Sequence, residues 1–228
     1  MFWQEDEDSP QAAQAADEIL DLSFAMSCKQ LPIDHAWDLS AAIHSVLPWL
    51  AAEPFAGVHT IHVAESGNGW LRPEDQQGLL IPSRRTRLEL RLPQHRVAAA
   101  NMLSGQTLSW GNYALTVGEA KEKHFSNAPV LFARYVLSSE TETEAQFLQR
   151  MAAEIQQLTQ FKIKKMLCGR SHYLQTPHSH YLTRHLMLAD LDHASSLCLQ
   201  QIGLGEGRQF GCGLLLPHKG IKTLKPSE

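Results

Sequence analysis

The chain has 228 residues, 43% of them hydrophobic, and a formal net charge of −4. That length accommodates one large domain or two small ones, each with its own core. No stretch approaches the roughly 18 consecutive apolar residues of a membrane span, and the acidic start lacks the basic-then-apolar pattern of a secretory signal, so a cytoplasmic protein is expected.

Residues 1–17 form a polar, acidic extension. Through residue 22 the chain carries Glu5, Asp6, Glu7, Asp8, Asp17, Glu18 and Asp21 and no Lys or Arg. Residues 19–27 alternate like a strand. Asp34 is placed to cap a helix starting near His35, with Leu39, Ile43, Val46, Leu47 and Leu50 as its apolar stripe. A strand is predicted over 58–63, a glycine-rich turn over 66–69, and strand character over 79–81 and 87–92. Pro93 and Gly105 frame a second helix, and strand character returns at Leu108 and over 113–117.

The pattern then repeats. Residues 130–137 read as a strand, and Thr141 with Glu144 as a capping box. The helix that follows has the stripe Phe147, Leu148, Met151, Ile155 and Leu158. Residues 163–174 and 181–188 form a hairpin around Pro177. Asp192 caps a last helix with Ala194, Leu197, Cys198 and Ile202 inward, Gly203 ends it, and 210–216 supply the final strand. Two successive β-α-β-β-α-β units predict an α+β fold of two tandem ferredoxin-like domains, 18–125 and 126–228. That fold by itself assigns no function.

Four separated cysteines, Cys28, Cys168, Cys198 and Cys212, contain no CxxC pair. They read as reduced residues in or near a core, and not as a zinc or redox motif. None of the 12 histidines falls in an HExxH arrangement. His172, His178, His180 and His185 have mixed spacing and no acidic neighbours, so no metal and no small-molecule cofactor is expected. From Lys162 to Lys225 nine basic residues face only Asp190, Asp192 and Glu206. A basic carboxy-terminal third can present a phosphate-binding face on an acidic chain, or can simply be a solvated surface.

The most specific stretch is Gly203-Leu-Gly205-Glu-Gly207-Arg208-Gln-Phe-Gly211-Cys-Gly213. Its order of helix, glycines, strand is neither a dinucleotide fingerprint nor a phosphate-binding P-loop. Glycine lets the backbone approach another chain closely, and exposed N–H groups beside Arg208 could hold phosphate. With Leu31-Pro-Ile-Asp-His35, Ala64-Glu-Ser-Gly-Asn-Gly-Trp70, Ser83-Arg-Arg-Thr-Arg87 and Gly211-Cys-Gly-Leu-Leu-Leu-Pro-His-Lys-Gly220, this loop resembles the repeat-cleaving endoribonuclease branch of the RAMP superfamily of CRISPR proteins, in its MYXAN subtype. The resemblance spans essentially everything after residue 18.

The resemblance implies metal-free cutting of CRISPR precursor RNA within its repeats. The substrate's own 2′-hydroxyl attacks the phosphate, leaving a 2′,3′-cyclic phosphate and a 5′-hydroxyl. The protein must take one proton, give one and hold the phosphate in line. The family's histidine lies on or just after the first helix, which points to His44, on the shoulder of the apolar stripe where Pro48 ends or kinks the helix. His35 at the helix start is a second candidate, and Ser171 could position the 2′-hydroxyl. His59 and His62, three apart, would point oppositely in a regular strand. RNA contacts are expected from Arg84, Arg85, Arg87, Lys164, Lys165, Arg170, Arg184 and Arg208, and from the backbone of Gly203, Gly205, Gly207, Gly211 and Gly213. Trp70 and Tyr173 could stack on bases. CRISPR repeat RNA is the expected partner, with other effector-complex subunits beside it. The alternatives are an RNA-gripping RAMP subunit that does not cut, and a small-molecule enzyme using histidines as metal ligands.

Overall fold

The computed structural model describes residues 18–63 and 78–218. The acidic extension, the 66–69 turn with Trp70, and the tail from 219 lie outside the described residues. The first sheet holds β1 (Ile19–Cys28), β3 (Gly57–Val58), β5 (Arg87–Pro93), β6 (Thr107–Trp110) and β7 (Tyr113–Lys123) in the order β3-β5-β1-β7-β6. The second holds β8 (Leu131–Leu137), β9 (Lys165–Gln175), β10 (His180–Ala189) and β11 (Leu216–Pro217) in the order β11-β8-β10-β9. Leaving aside the hairpin strand β6, the strands of each winding lie in the spatial order 4-1-3-2. That is the ferredoxin-like arrangement, present twice. A small ribbon pairs β2 (Leu31–Pro32) with β4 (Leu79–Leu80).

Each half has its own core. Helix α1 (Ala36–Val46) lays Leu39 and Ile43 on Leu20, Leu22 and Phe24 of β1, with Leu47 and Leu50 continuing past the helix. Helix α3 (Glu144–Thr159) buries Phe147, Met151 and Ile155, one turn apart, against Leu131, Ala133, Leu186 and Leu188. Each such side chain contributes about 1.5–3 kcal/mol when removed from water, so Phe147→Ala alone would remove a large part of this half's stability.

Several local expectations are corrected. The α3 capping box is Thr143 with Gln146, because Thr143 directly precedes the first helical residue; Glu144 already sits in the first turn. Asp34 does not cap α1: its carboxylate accepts the Gln175 N–H of β9 (3.0 Å) and ties the helix entry to the second half. The helix expected between Pro93 and Gly105 shrinks to α2 (Val97–Ala100) between 3₁₀ turns. Ladder pairing of Pro93 with Ile19, and the bond from Gly105 N–H to the Val117 carbonyl, hold both ends of that segment to the sheet.

Helix α4 (His193–Ile202) is capped by Asp192 as expected. Its buried face, however, is Ser195, Ser196, Leu199 and Gln200. Ser196 Oγ donates to the Ala128 carbonyl and Gln200 to the Ser126 carbonyl, so the chain crossing between the halves satisfies a polar stripe. The last strand is only Leu216–Pro217, because the preceding glycines turn the chain instead of extending it.

The two halves are bolted together by the arginine of a buried ion pair. Arg91 on β5, 0% exposed, donates to both Asp21 oxygens (2.9 and 3.1 Å). The same guanidinium reaches across to the carbonyls of Gln200, in the last turn of α4, and Leu215. A cation at a helix carboxyl end is favourable, and Phe125 stacks on the guanidinium at 4.6 Å. Burial by itself would raise the Asp21 carboxyl pKa; His59 and Arg91 outweigh it and hold the group well below the usual carboxylate range.

Candidate functional site

β3 ends at Val58, and residues 59–63 continue without a regular ladder. The His59 N–H still reaches back to β5, at the Glu89 carbonyl. Released from strand alternation, His59 and His62 both wall one cavity of about 260 Å³ between the two sheets. The opposite orientation expected for a regular strand does not apply here. Arg85 and Arg87 enter the cavity from the β5 side, and Arg134 of β8 closes it from the other half. The carboxylate on its wall is Glu89, which pairs with Lys123 at 3.2 Å. Among the described residues, three guanidinium groups against one paired carboxylate make this a cationic pocket on an acidic chain, suited to a phosphodiester.

The His59 ring has a defined tautomer. Its Nε2 lies 3.1 Å from Asp21 Oδ1, an ionised acceptor, so Nε2 carries the hydrogen and Nδ1 the lone pair. The segment is fixed by a second ring: Ile61 N–H donates to His35 Nε2 at 2.9 Å. His35 Nδ1 in turn donates to the Pro32 and Ile33 carbonyls at 2.8 and 3.0 Å. At 2% exposure, and with both nitrogens engaged, His35 offers no lone pair to a substrate. Its expected catalytic role is therefore corrected to a structural one: it pins the start of α1 to the cavity wall.

His44 lies in the last turn of α1. Its Nδ1–H is held by the Ser40 carbonyl at 2.7 Å, which leaves the lone pair on Nε2. That atom is buried and has no hydrogen-bond partner. The tautomer suits a general base, whereas the access is closed in this conformation. Ser171 is exposed on β9 and pairs with Arg184, away from the cavity wall.

The expected phosphate ligands divide sharply. Arg85 and Arg87 meet Arg134 at the cavity, and Arg84 is exposed next to them, its carbonyl accepting from Arg87. Lys164 and Lys165 are exposed at the far end of β9, where Lys165 pairs with Asp190 at 2.8 Å, and Arg170 is exposed in mid-strand. Arg184 is corrected to a bracket. It donates to Ser138 Oγ and the Glu142 carbonyl and lies over Phe147, on the helix side of the sheet. Arg208 is half-buried and turned to the first half, donating to the Phe55 carbonyl, with its pKa lowered to about 10 by burial and by Arg91.

The glycine-rich loop is corrected too. Gly203 N–H bonds the Leu199 carbonyl and Gly205 N–H bonds Glu154. Gly211 N–H bonds the Arg208 carbonyl and Gly213 N–H bonds the Tyr135 carbonyl. The Gly207 carbonyl accepts from Phe210 and Cys212. Four of the five N–H groups are therefore engaged inside the protein. At Gly211, where φ is +80°, an added Cβ would lie 2.9 Å from Thr60 Cγ2 and 3.1 Å from Thr60 N. The loop packs flush against the 59–63 segment, and Phe210 stacks on Trp37 of α1 at 5.2 Å. It is a weld between the halves.

A family model described as Cas6 Crispr matches residues 20–220. The chain belongs to the Cas6 family. It is similar to the CRISPR-associated endonuclease Cas6 of Myxococcus xanthus (strain DK1622), 28% identical over 198 residues that cover 87% of this chain and 81% of that protein. The solved structure of a CRISPR associated protein Cas6 is 12% identical with a TM-score of 0.59, covering 89% of this chain and all of that one. A RAMP protein described as binding different RNA substrates is 15% identical with a TM-score of 0.59, covering 86% of this chain and 98% of that one. These structural likenesses bear out the tandem ferredoxin-like reading.

Within this Cas6 chain the sequence reading missed Arg134, Asp21 and Arg91 and set His59 aside. For Asp21 and Arg134 the signal was present, since each is a lone charge in an otherwise apolar strand, which marks a paired or functional group; Arg91 shares its strand with Arg87 and Glu89. His172 and His185 stand face to face across β9 and β10, Nε2 to Nε2 at 2.9 Å, with Tyr135 edge-on to His172. Among the described residues no three His, Cys, Asp or Glu side chains converge as a metal-ligand set, and no helix is long and apolar enough to cross a membrane. All four cysteines are free.

Proposed function

We propose that this Cas6 chain is a CRISPR repeat-RNA endoribonuclease that works without a metal. The RNA lies along the seam between domains 18–125 and 126–228, with a backbone phosphate in the arginine-walled cavity. The 2′-hydroxyl next to the scissile phosphate attacks it, and histidine manages the two protons. One strand ends in a 2′,3′-cyclic phosphate and the other in a 5′-hydroxyl. Phosphate-dominated contacts favour retention of the product and its hand-over to other CRISPR effector subunits.

The observation that carries this reading is the meeting of Arg85, Arg87 and Arg134 with two histidines in one cavity, on a chain of net charge −4. The candidates for the two proton transfers are His44 on α1, whose Nε2 lone pair is unclaimed but buried, and His59 and His62 in the cavity wall. The test is incubation of the purified chain with its cognate repeat RNA in EDTA, followed by analysis of the ends. Cleavage that persists in chelator and is blocked by a 2′-deoxy substitution at the scissile position is expected. Fragments ending in a free 3′-hydroxyl would reject the chemistry, and tight binding without cutting would make the chain an RNA-gripping subunit. His44→Ala cutting at the unaltered rate would remove α1 from the reaction.

A further inference from the structure

We propose that His59 and His62 are the acid–base pair of this reaction, acting inside the cavity, with Asp21 as the residue that positions His59. The inference rests on the endoribonuclease reading above and names the groups that move its protons.

A carboxylate only accepts hydrogen bonds, so the contact with Asp21 commits the hydrogen of His59 to Nε2 and leaves Nδ1 with the lone pair. His59 is 7% exposed and walls the cavity, which confines its reach to whatever occupies that space. Asp21 is itself fixed by two bonds from Arg91, so it cannot turn away, and it stays ionised to stabilise the imidazolium that forms. A carboxylate that orients a histidine in this way is the supporting part of an acid–base dyad. His62, one turn of chain further on, is exposed at the cavity mouth.

Arg85, Arg87 and Arg134 line the same cavity, where their charge would stabilise a phosphorane bearing two negative charges. Two imidazoles and several guanidinium groups in one cavity supply what transesterification by a neighbouring hydroxyl needs. The helix-borne histidine meets only part of that requirement, since its lone-pair nitrogen is sealed.

The step balances without any added reactant. His59 Nδ1 takes the 2′-hydroxyl proton as the 2′-oxygen bonds to phosphorus. The bond from phosphorus to the 5′-oxygen breaks, and that oxygen takes a proton from protonated His62. The enzyme is left with His59 charged and His62 neutral, and exchange with solvent restores both.

The experiment is single-turnover cleavage of the cognate repeat RNA by the full chain and by His59→Gln, His62→Ala and His44→Ala, across pH 5 to 9. Affinity for a 2′-deoxy, uncleavable RNA and the melting temperature are measured alongside. Each cavity variant is expected to lose roughly 100-fold or more in rate while binding the uncleavable RNA within about threefold. Each should also lose one limb of the pH–rate profile. Added imidazole should restore part of the rate to a His59→Gly variant, which a structural role would not allow. His62 is exposed, so His62→Ala keeps the test decisive should His59→Gln fail to fold. Cavity variants that cut at the unaltered rate, with the loss confined to His44→Ala, overturn the proposal. If the unaltered chain cuts no repeat RNA, the endoribonuclease reading falls and takes this pair with it.

Discussion

The arginine turn at 83–87 and the glycine loop at 203–213 have the same ingredients: flexible backbone, polar character and cationic side chains. They meet the solvent in opposite ways. In the turn, the guanidinium groups of Arg84, Arg85 and Arg87 stay outside, and two of them open onto the cavity. In the loop, four glycine N–H groups bond the protein itself, and Arg208 turns inward to the Phe55 carbonyl. A phosphate-binding loop must have donors left over. Counting where each N–H goes separates a ligand cradle from a structural joint that looks the same in sequence.

The sharpest way to break this comparison is to alter the joint. At Gly213, where φ is +69°, an added Cβ would collide with the Leu204 carbonyl oxygen. Gly213→Ala is therefore expected to abolish the folded state, read as loss of a cooperative melting transition. Arg91→Met comes next. It leaves Asp21 buried and without its guanidinium, and should cost about 3–5 kcal/mol in urea unfolding. A variant that unfolds at the unaltered midpoint would show that the ion pair does not join the halves.

Acid probes the same joint more gently. Asp21 in the folded chain sits well below the usual carboxylate range, and an unfolded Asp titrates near 3.9. Its stabilisation is complete above about pH 4 and is lost as the pH falls from there through the folded value. The melting temperature should drop steeply below about pH 4. In Asp21→Asn it should already be lower at neutral pH and fall less steeply in acid.

The open side of the comparison predicts effects on binding without effects on folding. Arg85→Ala and Arg87→Ala should each weaken repeat-RNA affinity about tenfold, or about 1.4 kcal/mol. Each should lower the slope of log affinity against log salt by about one, with the melting temperature unchanged. An Arg208 variant that still folds should keep that slope, because its charge does not face the RNA. The smallest effect concerns the joint's thiol: Cys212 is buried and its pKa is pushed up to about 12. In the native chain it should be the last of the four cysteines to react with a thiol reagent, as followed by mass spectrometry.

Both ferredoxin-like windings were legible because apolar period and turn residues are local signals. The strands 19–27, 87–92, 130–137 and the 163–188 hairpin all appear at nearly the expected places. Errors gathered where a local signal competes with a distant partner. Pro93 suggests a helix start until its pairing with Ile19 is known. The inward face of α4 is polar only because residues 126–128 lie against it. Asp34 is a plausible cap until Gln175 takes it.

What the sequence determined alone was the order of elements, the two apolar cores and the family, since each is written in neighbours along the chain. Which charges face water was decided by tertiary structure. Arg91 and Arg208 are chemically identical to Arg85, Arg87 and Arg134, and the packing of one half on the other separates them. A guanidinium placed opposite carbonyls of the other half is drawn in against them, because leaving those acceptors buried and unpaired would cost more than desolvating the cation. Arg85, Arg87 and Arg134 instead line the cavity at the seam, Arg85 and Arg87 exposed to solvent.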